Sequence, residues 1–210
     1  MSPRPAIDHI RRPQILRAAA EVITERGLSA TRIADVAERA GTSAPAVIYW
    51  FKTRERLLTE ALIADEENFA VDLEARLVNL PSASARMRFL IEASTSDGDL
   101  SLWIELWARS LHDAEAATER QRLDDAWRGR IAAIVADGQE SGEFTAAIDP
   151  EEAALRIATL IDGLSVQVTL GDTAVSEERM REICLDFAAL QLGAELGAAG
   201  EVAGSERAVV

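Results

Sequence analysis

Apolar residues along the chain recur at steps of three and four. Leu16, Ala19, Ala20 and Ile23 form one such stripe, and Ile33, Val36, Ala37 and Ala40 form another. That is the period of a half-buried helix face. No stretch alternates for long with the period of two that a strand needs, and clusters of Val, Ile and Thr are sparse. The pattern predicts an all-α chain of nine helices.

Local chemistry places the helix ends. Pro13 reads as a first-turn proline and Gly27 as a helix stop. Thr31 is expected to cap a short second helix that Gly41 ends, and Ser43 to cap a third that runs to about Trp50. Thr53 is expected to cap a long helix reaching toward Leu80, which Pro81 stops. Five more helices are predicted over 83–96, 99–112, 114–141, 150–170 and 176–193. Asp149-Pro150-Glu151-Glu152 combines a cap, a first-turn proline and two carboxylates at the positive end of the dipole, and Ser176-Glu177-Glu178 repeats the logic. Residues 1–10 are expected to be a flexible arm, 11–55 a three-helix module, 56–193 a larger helical body and 194–210 a disordered tail.

Charge separates the module from the body. The chain carries a net charge of −14, yet residues 1–64 hold ten Lys and Arg against seven Asp and Glu, a net of +3, and residues 65–210 carry −17. A mildly basic module can approach phosphates, whereas the acidic body repels them. No run of about 18 apolar residues offers a membrane span. The start of the chain has no apolar signal core. Cys184 is the single cysteine, so an intrachain disulfide is excluded and a cysteine zinc site is not expected. These features predict a cytoplasmic protein with no metal and no cofactor.

The segment from Ile33 to Trp50 carries the functional signal. Ala37, Gly41 and Val47 stand at the small, glycine, aliphatic spacing of a helix-turn-helix. A small side chain lets two helices cross closely, Gly41 supplies positive φ at the sharp turn, and Val47 packs inward. Ser43 leaves the N-terminus of the following helix pointing outward, with free N–H groups suited to a phosphate or a base edge. Arg11, Arg12 and Arg17 precede the motif, Arg32 opens it, and Tyr49, Lys52 (the only lysine), Arg54 and Arg56 follow. These are phosphate-contact residue types.

Residues from about 13 to 62 resemble the DNA-binding domain of the TetR (tetracycline-repressor) family. The match runs from Ala30-Thr31-Arg32-Ile33-Ala34-Asp35-Val36-Ala37 through Gly41-Thr42-Ser43 to Tyr49-Trp50-Phe51-Lys52. The resemblance implies a nine-helix, two-domain fold, with a dimer built from the last two helices and a ligand pocket in the body. It also implies operator DNA as partner, contacted by Arg12, Thr31, Arg32, Thr42, Ser43, Ala44, Ala46, Tyr49 and Lys52. The family often has two tyrosines and a histidine before the phenylalanine, where this chain has Ile48, Tyr49 and Trp50. Only Tyr49 therefore inherits a phosphate role, and base reading leans on Thr42, Ser43, methyl contacts from Ala44 or Ala46, and DNA shape. Trp50 and Phe51 read as core.

In the body, Trp103-Ile104-Glu105-Leu106-Trp107 and Leu160-Ile161-Asp162-Gly163-Leu164 resemble the subgroup related to the choline-responsive betaine repressor. Trp103 and Trp107 share a helix face, and Trp127 lies on the next helix. Aromatic faces beside carboxylates hold cationic amines, and Asp162 in an apolar helix needs a charge or donor as partner. Two readings stand side by side. The tryptophans and Asp162 form a site for a cationic or amine-bearing inducer, or the tryptophans fill a core and Asp162 bonds a neighbour. Ala153, Ala154, Ile157, Ile161 and Leu164, with Ile183, Phe187 and Leu190, are expected to build a four-helix homodimer interface.

An enzyme is not indicated. His9 and His112 are isolated from each other and from Cys184, and no phosphate loop, zinc motif or nucleophile elbow occurs. A ligand-binding or adaptor protein that has lost DNA affinity would lack the basic residues around the motif. The expected activity is that of a repressor released from a near-palindromic operator by a small molecule, with the long helix as lever.

Overall fold

The computed structural model describes residues 5–96 and 101–196, and within them it holds nine helices and no strand. These are α1 (Pro5–Arg26), α2 (Ile33–Arg39), α3 (Ala44–Phe51), α4 (Arg54–Leu77) and α5 (Ala83–Ser96). They are followed by α6 (Ser101–Ser110), α7 (Ala114–Ser141), α8 (Pro150–Thr169) and α9 (Glu177–Leu192).

Most caps act as their chemistry dictates. The Ser43 hydroxyl accepts the Ala46 N–H, Thr53 accepts that of Arg56, and Ser176 that of Arg179. The Asp149 carboxylate accepts both Glu151 and Glu152 N–H groups. Each such cap is worth roughly 1 kcal/mol.

Two expectations at the start of the chain need correction. Pro13 lies inside α1, which begins at Pro5, so the arm expected over 1–10 is helical from residue 5, and residues 1–4 lie outside the described residues. Pro13 sits on the solvent-facing side, and there a missing N–H costs one helical bond without ending the helix. Thr31 is not the cap of α2; Arg32 holds that position, and its N–H is taken by the Asp35 carboxylate at 3.3 Å. The tail expected to be disordered beyond 196 also lies outside the described residues.

The hydrophobic interior divides into two cores. The first joins Ile15, Ala19 and Ile23 of α1, Val36 and Ala37 of α2, and Val47 and Phe51 of α3 to Leu57, Leu58, Ala61 and Leu62 of α4. Leu102 and Leu106 of α6 and Ala116 of α7 complete it. The second takes the far end of α4 (Leu73 and Leu77) together with α5, most of α7, α8 and α9. A boundary at 55/56 therefore does not separate the cores. One half of α4 belongs to each, and α6 serves the N-terminal core although it begins only at Ser101, far beyond that module in sequence. The helix period could not reveal this, because both ends of α4 carry buried apolar positions on either side of an acidic middle, and only packing partners distinguish them.

In the second core Gly138 has a steric role. A Cβ placed there would lie 2.1 Å from Cδ2 of the Phe144 ring, which folds back onto α7 after the turn at Gly142. Gly138→Ala raises helix propensity but overpacks this contact. It is expected to lower stability by about 1–3 kcal/mol in a denaturant titration. A variant at least as stable as the parent would show that Phe144 yields without cost.

Candidate functional site

The turn between α2 and α3 is built from backbone hydrogen bonds. Thr42 N–H donates to the Ala37 carbonyl at 2.8 Å, and Gly41 N–H donates to that of Glu38 at 3.1 Å. This paired closure needs a left-handed residue, and Gly41 provides it at φ 61°. Val36, Ala37 and Val47 are buried at the crossing, so the inner face anticipated from spacing is the inner face of the fold.

The opposite face of α3 is open. Ser43 and Pro45 are exposed, Thr42, Ala44 and Ala46 are half-buried, and Ile48 and Tyr49 are 47% and 68% exposed. Pro45 and Ile48 were missed as contact candidates. Their outward position follows from Val47 being inward, because neighbours on a short helix cannot all share one face. Phe51 is buried and Trp50 half-buried against the same core, with Trp50 edge-on to Tyr49 at 5.5 Å between centroids.

Lys52 joins α3 to α4 at φ 66° and ψ −51°, and Thr53 N–H donates across it to the Phe51 carbonyl at 2.7 Å. This is a three-residue γ-turn, a strained geometry for a residue with a Cβ. The turn aims Lys52 back along α3. Its Nζ donates to the Tyr49 carbonyl at 2.9 Å and lies 5.2 Å from the centre of the Tyr49 ring. A hydroxyl and an ammonium are thereby held together at one end of the exposed face. Arg32 is exposed at the start of α2.

Arg11 and Arg17 are exposed on α1, whereas several other basic residues are engaged within the protein. Arg12 pairs with Glu60 and lies over the Phe51 ring, and Glu60 also accepts from Arg56 at 2.7 Å. Arg39 is held by Glu21 and Glu25. Arg54 donates to the carbonyls of Thr31 at 2.7 Å, Leu28 at 2.5 Å and Ser29 at 3.2 Å, clamping the α1–α2 loop to α4. Two residues expected to contact DNA have partners inside the protein. The Thr31 side chain is 1% exposed and its hydroxyl donates to the Gly27 carbonyl, and Arg12 is committed to Glu60.

Within the body, Trp103 and Trp107 stack at 6.0 Å between centroids with a 53° tilt. Trp103 packs on the N-terminal core, whereas Trp127 packs on the body core, so the three rings do not form one cluster. The Trp107 indole N–H and the Thr59 hydroxyl are buried without a hydrogen-bond partner among the described residues. Asp162 is half-buried. Burial, reinforced by the nearby Asp124 and opposed by Arg128, pushes its carboxyl up to about 6. Glu66 on α4 was missed by the sequence reading. Burial and the neighbouring Asp65 push it up to about 7. Burial also raises Asp124, although Arg120 pairs with it. The only signal for Glu66 was a helical period in α4 that turns it toward the same side as Leu62, and an acidic run disguised it.

Five residues assigned to a dimer interface are accounted for otherwise. Ala153, Ala154, Ile157, Ile161 and Leu164 are buried in the chain's own core. Leu155 on α8 is 47% exposed and Leu190 on α9 is 78% exposed, with Ile183 and Phe187 half-buried beside them. Among the described residues no helix is long and apolar enough to cross a membrane, and no group of acidic, His or Cys side chains could hold a metal ion.

A helix-turn-helix with an open second helix, mounted on a helical body with buried carboxylates, defines a ligand-responsive DNA-binding transcriptional regulator. Comparison with known proteins places it more closely. Residues 15–61 match the bacterial regulatory proteins of the TetR family, and residues 83–193 match the C-terminal domain of BetI-type transcriptional repressors. The HTH-type transcriptional regulator BetI of Cronobacter sakazakii is 30% identical over 201 residues, covering 90% of this chain and 95% of that protein. A transcriptional regulator from Saccharomonospora viridis, crystallised in complex with choline, is 30% identical with a TM-score of 0.80, covering 88% of this chain and 98% of that one. A TetR-family regulator from a Rhodococcus species is 28% identical with a TM-score of 0.74, covering 87% and 98%. The chain belongs to the TetR family, with a BetI-type C-terminal domain.

Proposed function

We propose that this regulator is a cytoplasmic homodimeric repressor whose operator affinity falls when a quaternary or protonated amine of the choline class binds its body. DNA is met by the open face of α3 and its flanks: Arg32, Thr42, Ser43, Ala44, Ala46, Tyr49 and Lys52, with Pro45 and Ile48 added for apolar contact with base methyls. The dimer forms through the outer faces of α8 and α9 around Leu155 and Leu190, setting two α3 helices about 34–36 Å apart, one turn of DNA.

For the ligand, the supporting observation is two half-buried carboxylates, Glu66 and Asp162, that form no salt bridge among the described residues, with Arg128 only partly offsetting the burial of Asp162. An uncompensated buried charge is costly, and a cation removes the cost. Trp103 and Trp107 supply adjoining aromatic faces, Trp127 on the body core is assigned to a separate edge of the site, and the unsatisfied Trp107 N–H supplies a donor for a ligand hydroxyl. The choline complex of the Saccharomonospora viridis relative supports the same chemistry.

Fluorescence anisotropy with DNA from upstream of the protein's own gene tests the first half. Binding is expected to weaken with salt. The Tyr49→Ala/Lys52→Ala variant should bind at least about tenfold more weakly, with a salt slope shallower by about 1. Equal affinity of variant and parent would remove α3 from the interface. Sedimentation of the complex should give an even number of chains per duplex, and a single chain per duplex would refute the dimer.

The second half has a pH signature. A cation favours the ionised carboxylates, so its binding releases protons wherever they are protonated in the free protein. With Glu66 at about 7 and Asp162 at about 6, choline affinity should rise as pH increases from 5 to 8, by about tenfold or more. Glu66→Gln and Asp162→Asn should flatten the profile in calorimetric titrations. A pH-independent affinity, or no binding, would reject the assignment.

A further inference from the structure

The loop between α1 and α2 is gripped from two sides. Arg54 holds its carbonyls from α4, as described. From the other side the Glu105 carboxylate of α6 accepts the Leu28 N–H at 3.2 Å. Leu28 follows Gly27, whose φ of 78° turns the chain out of α1, and a Cβ on Gly27 would lie 3.8 Å from the same Glu105 oxygen. The bond is partly buried, so water competes for it poorly.

Glu105 sits at the centre of α6. Leu102 and Leu106, four residues apart, anchor that helix in the N-terminal core, and Trp103 and Trp107 form the adjoining stacked pair. A displacement of α6 on the tryptophan side must break the Leu28 bond or pull the loop with it. The loop cannot move alone, because the Arg54 guanidinium ties it to the first turn of α4, two residues after Lys52. The Thr31 hydroxyl further closes the loop on Gly27.

We infer that Glu105 is the positioning residue that couples the ligand-binding body to the helix-turn-helix, through its hydrogen bond to the Leu28 backbone. It touches neither DNA nor the proposed cation in this role. The inference rests on the chain being a regulator whose body and DNA-binding module respond to each other. Because coupling between two sites is reciprocal, it is readable from the DNA side without any inducer.

The test is hydrogen exchange of the full-length protein, alone and bound to a duplex selected from a random library by the wild type. In the wild type, duplex binding is expected to slow exchange in residues 102–112 by about threefold or more. Glu105→Ala should still bind the duplex but lose that protection, whereas Glu105→Gln, which keeps an accepting oxygen, should retain it. An unchanged melting temperature establishes that the alanine variant is folded; if it is not, the wild type and the glutamine variant alone decide by showing or lacking protection. Full protection in a folded Glu105→Ala, or none in the wild type, overturns the assignment. A parallel arm adds choline chloride to the duplex complexes. Its expected result is release of the wild type and the glutamine variant with at least a fivefold smaller response in Glu105→Ala. If choline leaves the wild type on DNA, the choline reading fails, and the exchange measurement still decides the role of Glu105.

Discussion

The DNA-binding module depends on apolar side chains that it does not itself contain. Its three helices by themselves bury only a marginal core, since a domain of about 50 residues hides a modest share of its surface. The deficit is filled by Leu57, Leu58, Ala61 and Leu62 of α4 and by Leu102, Leu106 and Ala116 of α6 and α7. The consequence is mechanical. The orientation of α3 is set by packing against helices that also line the body, so a shift of either helix is felt at the DNA-facing surface. In a module with a complete core of its own, the same shift would be absorbed by a linker.

Electrostatics divides the labour in a similar way. The N-terminal region is basic by count, but much of that charge is neutralised or used as scaffold: Arg12 and Arg56 on Glu60, Arg39 on Glu21 and Glu25, Arg54 on three loop carbonyls. What faces outward is Arg11 and Arg17 on α1, Arg32 at the start of α2, and Tyr49 with Lys52, the last held by a strained γ-turn. A regulator that must leave its operator benefits from few phosphate contacts, because each adds to affinity and to the salt dependence of release.

Inside the body the balance is reversed. Glu66 and Asp162 are half-buried with no salt bridge among the described residues, and Arg128 only partly offsets the burial that raises Asp162. Trp103 on α6 lies against the N-terminal core, whereas Trp127 lies against the body core. Aromatic surface on both sides of the division is consistent with an occupant whose binding is sensed by both cores.

Much of this was legible in the amino-acid order. Helix starts depend on one side chain and the next three amides, so Ser43, Thr53, Asp149 and Ser176 declared themselves, and the Ala37–Gly41–Val47 spacing specified the crossing of α2 and α3. Pro13 misled because its tolerance depends on which face of α1 meets solvent, and Thr31 because its hydroxyl found a carbonyl behind it. Which half of α4 joins which core, which basic residues remain free, which apolar face of α8 is left uncovered, and where Glu105 finds its donor were decided only by tertiary packing. Each depends on groups tens of residues apart in sequence. Local propensity acts over one helical turn, whereas burial and ion pairing are set by neighbours that only the folded chain supplies.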